Sequence, residues 1–378
     1  MTSIFTPEEI IQYAETRLFG ANVLPENVFA IEQHNGVLPS HLSNEILSPR
    51  GTFKNVEQKS PREPLYYQNG TLFIPQYSGF GRGERYTRLV KEYKKASGGN
   101  FGFSLHDFLG IPRRTNIQYD NYAYDFVTGL FMPNEINPGG RHRYATRRIF
   151  PPGTMDDVST IIFGPLNTTT TLADHVITSG HSEYLDAQII TIGGKKVLNI
   201  AYVYADQAGI IIDKLLREYE ALAMAKERKM HISMFMFSRV GNLEDKSTRH
   251  DLITPTHIID AHELEADYAI TPMHNVLANQ GQRKINLNIL TFFDETIELL
   301  TRAKELGCSC IEMETRESVE AINKARRRYH NHLEIDFGFV GHVSDSPLQG
   351  DTLATELDSN LGEKAAAERI IAYISEKS

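Results

Sequence analysis

Short apolar runs alternate with amphipathic helical patterns from residue 158 onward, and this alternation limits the fold more than any other feature of the chain. The apolar runs have strand length and occupy residues 159–163, 187–192, 197–203, 232–237, 251–258 and 336–343. The helical patterns occupy residues 209–229, 294–306 and 362–375. Such runs need cover on both faces, so the sequence predicts an α/β fold with one sheet between two helical layers.

The first 150 residues lack this regularity. The sequence therefore predicts an N-terminal extension, or a small α+β domain, over residues 1–150 and a second domain over residues 151–378. Within the first part, Thr6-Pro7-Glu8-Glu9 predicts the start of a helix. Residues 20–70 predict irregular structure, residues 71–74 a short strand, and residues 84–95 a helix after a glycine-rich turn at 79–83 that is a candidate anion cradle.

Composition excludes several classes of protein. Residues 1–150 hold 17 Lys and Arg against 14 Asp and Glu, and the remainder holds 22 against 34, which does not suggest a nucleic-acid partner. No apolar run approaches the roughly 18 residues that a membrane span needs. The only two cysteines, Cys308 and Cys310, fit neither a disulfide nor a zinc quartet and indicate buried thiols. The expectation is a cytoplasmic protein without a membrane partner or cofactor.

Two acidic clusters each follow a segment with a strand pattern. They are Glu312-Met313-Glu314 and Ser344-Asp345. Breaking a glycosidic C–N bond requires an acid that protonates the leaving base and a group that anchors the sugar. Asp345 and Glu314 could fill these two roles, since strand ends commonly hold the sites of open α/β sheets; ordinary loop carboxylates are the alternative.

A different chemistry is suggested by His257-x-x-Asp260-x-His262-Glu263, whose residue types could hold a divalent metal ion. The spacing is not that of a standard ligand set. The sequence therefore predicts no metal site.

Four landmarks occur in order: Gly164-Pro165, Arg239-Val240-Gly241-Asn242, Glu312-Met313-Glu314 and Val343-Ser344-Asp345. Their order and spacing resemble the nucleoside phosphorylase and nucleosidase superfamily over roughly residues 155–375. The continuation through Pro347-Leu348-Gln349-Gly350-Asp351 is most similar to the AMP nucleosidase branch. The resemblance implies a three-layer phosphorylase/hydrolase-like fold with a central twisted mixed sheet, and a homo-oligomer built from dimers.

The resemblance also implies roles for residues of this chain. Asp345, helped by Ser344, matches the acid that acts on the purine N7, and Glu314 matches the carboxylate that grips the ribose hydroxyls. Further candidates for substrate binding are Met313 beneath the sugar, Glu312, and Phe292 or Phe293 over the base. The candidates for phosphate binding are Arg239, Gly241, Asn242, Gly164, Thr169 and Thr170.

Two departures from the family pattern bear on the reaction. The first family loop normally supplies an arginine, whereas this chain reads Gly164-Pro165-Leu166-Asn167 followed by four threonines. Hydroxyls supply no positive charge, and a charge-assisted hydrogen bond is about twice as strong as a neutral one. The second departure is the segment Tyr204 to Gly209, in which the negative charge of Asp206 would repel an anion.

These departures favour hydrolysis over phosphorolysis. The expected function is cleavage of the N-glycosidic bond of a purine nucleotide or nucleoside, as in AMP nucleosidase-like hydrolysis to base and ribose 5-phosphate. A phosphorylase that uses inorganic phosphate and an inactive nucleotide-binding homologue are the alternatives. If a 5′-phosphate is bound, the arginines at 141–148 or the loop at 79–83 are the expected contacts.

Overall fold

The computed structural model describes part of the chain. The described residues are 4–14, 27–31, 54–55, 66–68, 71–75, 89, 91–98, 102–106, 126–127, 129–131, 149–151, 153–181, 186–201, 205–245, 247–261, 264, 270–279, 281, 283–289, 294–351 and 360–377. They form two compact units that divide between residues 121 and 122. The sequence placed the boundary near residue 150, but Phe126, Leu130 and Phe150 are buried in the core of the larger unit.

The smaller unit begins with helix α1 (Pro7–Ala14). Its start is a capping box, because Glu9 N donates to Thr6 Oγ1 at 3.2 Å and Thr6 N donates to the Glu9 carboxylate at 2.8 Å. The strands are β1 (Asn27–Ile31), β2 (Lys54–Asn55), β3 (Tyr66–Gln68), β4 (Thr71–Pro75) and β5 (Gly102–His106). Strand β1 lies between β4 and β5 and is parallel to both.

The predictions for this unit have mixed outcomes. The start of α1 and the strand at 71–74 are confirmed. The irregular structure expected for residues 20–70 is wrong at β1, β2 and β3, which are strands of two to five residues and too short to show a period. Residues 91–97 are helical and overlap the end of the predicted helix at 84–95, while the loop at 79–83 lies outside the described residues.

The larger unit contains one mixed sheet. Its strands are β6 (Thr160–Gly164), β7 (His175–His181), β8 (Asp186–Ile192), β9 (Lys195–Ala201), β10 (Met230–Asn242), β11 (Leu252–Ile253), β12 (His257–Asp260), β13 (Thr271–Pro272), β14 (Ile285–Asn288), β15 (Cys308–Glu312) and β16 (Leu333–Asp345). Its helices include α2 (Leu166–Leu172), α3 (Ala205–Ala225), α4 (Ile297–Glu305), α5 (Thr315–Arg328) and α6 (Asn360–Glu376).

The order of the sheet is β13-β12-β14-β15-β10-β6-β9-β8-β7, and β16 pairs with β10 and β11. Strand β10 is parallel to β6 and β16 and antiparallel to the end of β15. Strands β8 and β9 form the predicted hairpin, with Gly193 and Gly194 at φ 55° and 77° in its turn. The carboxyl ends of β10 and β16 therefore meet the end of β15.

Alternate residues of the central strands face two separate cores. Met234 and Met236 of β10 lie in the core that also contains buried side chains of α3 and α5. Phe235 and Phe237 lie in the core beneath α6. The predicted α/β class, with a central mixed sheet covered on both faces, is confirmed.

Several elements of this unit differ from their predicted bounds. Strand β10 continues through Asn242 and β16 through Asp345, so both reach the predicted site residues. Helix α4 begins after Thr296, whose hydroxyl accepts from Leu299 N, and not at Asp294. The helix ends as predicted before Gly307, which has φ 83°.

Both cysteines are buried and form no disulfide. Burial raises the pKa of the Cys308 thiol to about 12, as expected of a thiol that is not reactive. Within the described part of the chain, no helix has both the length and the apolar character that crossing a membrane requires.

Candidate active site

The two acidic clusters of the sequence meet on either side of Gly241. Strands β10 and β16 pair in register until Val240↔Val343, and the next pair is Gly241↔Asp345, so Ser344 is the extra residue of a β-bulge. On its other side, Gly241 pairs with Ile311 of β15. A Cβ at Gly241 would lie 2.7 Å from Ile311 Cγ2 and 3.5 Å from Asp345 Oδ2, so the approach of these strands requires glycine.

Asp345 is a buried carboxyl, and the Ser344 hydroxyl donates to its Oδ1 at 2.5 Å. Burial raises the pKa of Asp345 to about 6, and the neighbouring charge of Asp351 acts in the same direction. The Ser344 hydrogen bond and the charges of Arg249 and Arg239 lower the pKa and offset part of the effect of burial. A carboxyl of this kind can carry a proton close to neutral pH and give it to a ligand.

Glu312, at the end of β15, is held entirely by protein groups. Its carboxylate accepts from Glu314 N at 2.5 Å, from Thr315 N at 3.0 Å, from the Thr315 hydroxyl, and from Asn286 Nδ2 at 2.6 Å. Burial, together with the charge of Glu314, raises the pKa of Glu312 to about 7. These bonds fix the turn from β15 into α5, so Glu312 positions the residues that follow it.

Met313 and Glu314 occupy that turn. Glu314 is the residue before the first turn of α5, and its side chain is buried. Met313 is partly exposed between two buried glutamates. A carboxylate fixed in this way by its own backbone can accept hydrogen bonds from the hydroxyls of a ligand without reorganising.

The predicted phosphate residues of β10 are bound to other parts of the protein. Arg239 pairs with Glu363 of α6 at 3.0 Å, and its side chain is 41% exposed. Asn242 is buried and donates to Glu244 O at 2.7 Å, and its Oδ1 accepts from Glu244 N at 2.9 Å. Asn242 therefore stabilises the loop after β10.

The residues of the first loop are also engaged with protein. A Cβ at Gly164 would overlap the ring of Phe237, so Gly164 serves close packing of β6 on β10. The Thr170 hydroxyl lies 2.6 Å from Leu166 O and 2.5 Å from Gln188 Oε1, both acceptors. Thr169 is fully buried, with its hydroxyl 3.5 Å from Pro165 O. Each hydroxyl has one hydrogen, so Thr170 has none left for a phosphate.

Two ionisable groups that interact with the charge of Asp345 were missed from the sequence. Arg249 forms a bidentate pair with Asp351, in which Nε lies 3.0 Å from Oδ2 and Nη2 bonds to Oδ1. The second group is Glu295, which is buried and acted on by the charge of Asp345. Glu295 directly precedes the capping residue of α4, where an acid is common at the start of a helix, so the local pattern gives no signal of its electrostatic interaction with Asp345.

Several predicted residues cannot be placed. Phe292, Phe293, His262, Glu263 and the arginines at 141–148 lie outside the described residues, and the side chain of Asp206 does as well. Asp260 pairs with Arg316. Among the described residues, no group of three or more His, Cys, Asp and Glu side chains could hold a metal ion.

No protein-family model matches the chain. No curated protein sequence matches it either. Similar solved structures include a uridine phosphorylase from Phytophthora capsici, with 12% identity over 57% of this chain and 90% of that one and a TM-score of 0.43. A purine nucleoside phosphorylase from Toxoplasma gondii in complex with immucillin-H has 14% identity over 66% of this chain and 100% of that one, with a TM-score of 0.43. A 5′-methylthioadenosine/S-adenosylhomocysteine nucleosidase from Campylobacter jejuni has 8% identity over 58% of this chain and 99% of that one, with a TM-score of 0.42. At this level of similarity, the substrate and reaction have to be argued from the chain's own residues.

Proposed function

We propose that this protein cleaves the N-glycosidic bond of a purine nucleotide or nucleoside by hydrolysis, as an AMP nucleosidase does. The observation that carries the proposal is the meeting of Asp345 with the Glu312–Glu314 turn across Gly241. The pKa of Asp345 is raised to about 6, and the backbone N–H of Glu314 is fixed by its hydrogen bond to Glu312. An acid and an anchor are the two groups that this reaction needs from the protein.

Asp345 is the proton donor in this mechanism. An anionic purine is a poor leaving group. Protonation of N7 as the C–N bond stretches therefore lowers the barrier to cleavage. The Ser344 hydroxyl, which donates to Oδ1, leaves Oδ2 to carry the proton toward the base. The neighbouring Gly241 has no side chain that would block this oxygen.

Glu314 is the sugar anchor. Its carboxylate would accept from the ribose 2′ and 3′ hydroxyls while positive charge develops on the ring, and Met313 would pack beneath the sugar. Phe292 or Phe293 would cover the base. Water would then add to the sugar from the opposite face.

Water is favoured over phosphate as the nucleophile by the state of the predicted phosphate residues. The Thr170 hydroxyl is directed at protein acceptors, and Arg239 is paired with Glu363. A dianion bound there would have to break that ion pair or rely on neutral donors, which form weaker hydrogen bonds than charged ones. Phosphorolysis remains the alternative that experiment must distinguish.

The direct test is chromatographic detection of free base after incubation with AMP, adenosine, inosine, guanosine and uridine, each with and without phosphate. We expect release of a purine at a rate that phosphate does not change. Release only with phosphate would make the protein a phosphorylase, and binding without release would make it an inactive homologue.

The substitution Asp345→Asn tests the proton donor in the same assay. The asparagine keeps the size of the side chain but has no acidic proton, so turnover should fall by about 10²- to 10⁴-fold. The exposed Asp245→Asn should leave turnover unchanged. Full turnover in Asp345→Asn would remove Asp345 from the mechanism.

Assembly is a separate part of the proposal. We expect a homo-oligomer built from dimers in the cytoplasm, where purine nucleotides are its partners. Light scattering on the purified protein tests the assembly, and a monomer at working concentration would contradict it.

A further inference from the structure

The strand end that carries Asp345 is tied to the loop between β10 and β11. His250 N donates to Val343 O at 2.9 Å, and Val343 N donates to Asp251 O at 2.9 Å. His250 has a φ of 72°, a left-handed conformation that is uncommon for a residue with a side chain. The two hydrogen bonds fix the backbone of β16 two residues before Asp345.

The residues after Asp345 form a short closed loop. Ser346 N donates to Asp351 O at 3.0 Å, and Asp351 N donates to Ser346 O at 3.3 Å. Between them lie the 3-10 turn Pro347–Gln349 and Gly350, whose φ of 79° lets the chain reverse. The position of Asp351 is thereby linked to that of Ser346, the residue next to Asp345.

Arg249 connects this closed loop to the loop between β10 and β11. Its guanidinium binds both oxygens of the Asp351 carboxylate, with Nε 3.0 Å from Oδ2 and Nη2 bonded to Oδ1. A bidentate pair fixes the orientation of both groups as well as their distance. Arg249 directly precedes His250 in the sequence. The segment from Val343 to Asp351 is therefore attached to one loop at both ends, with Asp345 between them.

The exposure of the pair argues against a role in overall folding. The side chains of Arg249 and Asp351 are 37% and 30% exposed, and ion pairs between exposed side chains contribute little to stability. What the pair does determine is where residues 346–351 lie, and through them how Asp345 is held.

We propose that Arg249 and Asp351 form a clasp that positions Asp345 to give its proton to the leaving base. Both act through the loop that follows Asp345, so they are positioning residues. This role rests on the proposed hydrolysis. A proton donor has to lie within hydrogen-bond reach of N7, and a displacement of about 1 Å can cost roughly 100-fold in rate.

The kinetics of base release in Arg249→Met test the clasp. We expect kcat to fall by about 10- to 100-fold with little change in KM, because the substrate would still bind but would meet a misplaced donor. Asp351→Ala should lose a similar amount. The double variant should lose no more than either single variant, because each substitution opens the same clasp.

A matched control is the ion pair between Arg217 and Asp213 within α3, whose atoms lie 2.7 Å apart. Arg217→Met removes the same kind of group from a similarly exposed pair and should leave kcat unchanged. The melting temperature should shift by no more than about 4 °C in this variant and in Arg249→Met, so a loss of kcat in the latter does not come from unfolding.

Three kinetic results would overturn the clasp. Losses that multiply in the double variant would mean that Arg249 and Asp351 act independently. A raised KM with unchanged kcat would place them in substrate binding, and full turnover in Arg249→Met would show that Asp345 needs neither.

The charges of the clasp provide a measurement that needs no turnover. Burial has the largest effect on the pKa of Asp345; among the neighbouring charges Asp351 raises this pKa, and Arg249 and Arg239 lower it. Glu295 also interacts with the charge of Asp345, and neither substitution alters it or Arg239. The pKa of Asp345 should therefore rise in Arg249→Met and fall in Asp351→Ala.

Nuclear magnetic resonance of protein with isotope-labelled aspartate follows this titration, and the Asp345 signal is identified by its loss in Asp345→Asn. A pKa of Asp345 that moves in neither clasp variant would overturn the inference even if the protein releases base. Failure of the unaltered protein to release base would instead refute the proposed function, and the titration would still decide whether the pair is held against Asp345.

Discussion

Replacing Asp345 by Asn should stabilise the folded protein, and the gain should depend on pH. Burial raises the pKa of Asp345 from 3.8 to about 6. The folded chain therefore binds more protons at this carboxyl than the unfolded chain between those two values. Ionisation of Asp345 thus costs stability as the pH rises through 6, and below about pH 4 it costs nothing.

The size of the effect follows from the separation of the two pKa values. At about 1.4 kcal/mol per pH unit, the separation corresponds to about 3 kcal/mol once Asp345 is fully ionised. Asparagine has no charge to bury and can still accept from the Ser344 hydroxyl. Removing the charge also lowers the pKa of Glu295, which changes stability in the same direction.

The assay is urea unfolding of the unaltered protein and Asp345→Asn at pH 4 and pH 8, followed by circular dichroism because the chain has no tryptophan. We expect the variant's advantage in the free energy of unfolding to be about 2–3 kcal/mol larger at pH 8 than at pH 4. Asp245→Asn, at a largely exposed carboxylate paired with Lys304, is the control and should change by less than about 0.5 kcal/mol at either pH. An advantage that is the same at both pH values would refute the assignment of a raised pKa to Asp345.

Three further substitutions have expected outcomes that the same unfolding assay measures. Gly241→Ala places a methyl group 2.7 Å from Ile311 Cγ2 and should destabilise by about 1–3 kcal/mol while also lowering base release; unchanged unfolding and turnover would contradict the packing at the bulge. Gly164→Ala overlaps the ring of Phe237 and should destabilise by a similar ~1–3 kcal/mol, with Phe237→Leu in the same chain recovering part of the loss. Arg239→Ala removes a partly exposed ion pair and should cost less than about 1 kcal/mol, so a larger loss would give this arginine a structural role beyond the pair.

The sequence predicted the parts of the fold that depend on local periodicity. The hairpin at Gly193 and Gly194 and the helix end at Gly307 were predictable because backbone with positive φ favours glycine there. Two acids following strands also predicted that Asp345 and Glu314 would be near each other, since strand ends gather at one edge of a sheet.

The rest depends on contacts between distant segments. The bulge that places Asp345 opposite Gly241 arises from the register of β10 with β16, which neither strand encodes alone. Thr169 and Thr170 form part of a helix although threonine has low helix propensity, and the hydroxyl of Thr170 then lies against the carbonyl of Leu166, four residues back. Glu295 was missed because its significance comes from its proximity to Asp345.

Three buried carboxyls with raised pKa values lie around the ends of β15 and β16, and their hydrogen bonds separate their functions. Glu312 receives bonds from two backbone N–H groups and two side chains, so it has little capacity left for a ligand and holds the turn in place. Asp345 accepts from the Ser344 hydroxyl at Oδ1, and in the proposed mechanism its Oδ2 carries the proton that is given to the base. Glu295 has an oxygen with no partner among the described residues, and burial together with the charges of Asp345 and Asp294 raises its pKa well above the usual range. Because burying an acid costs stability, a cluster built only for folding would pair its acids in the manner of Glu312; a carboxyl such as Asp345, whose pKa is raised to about 6, is instead what the proposed base release requires.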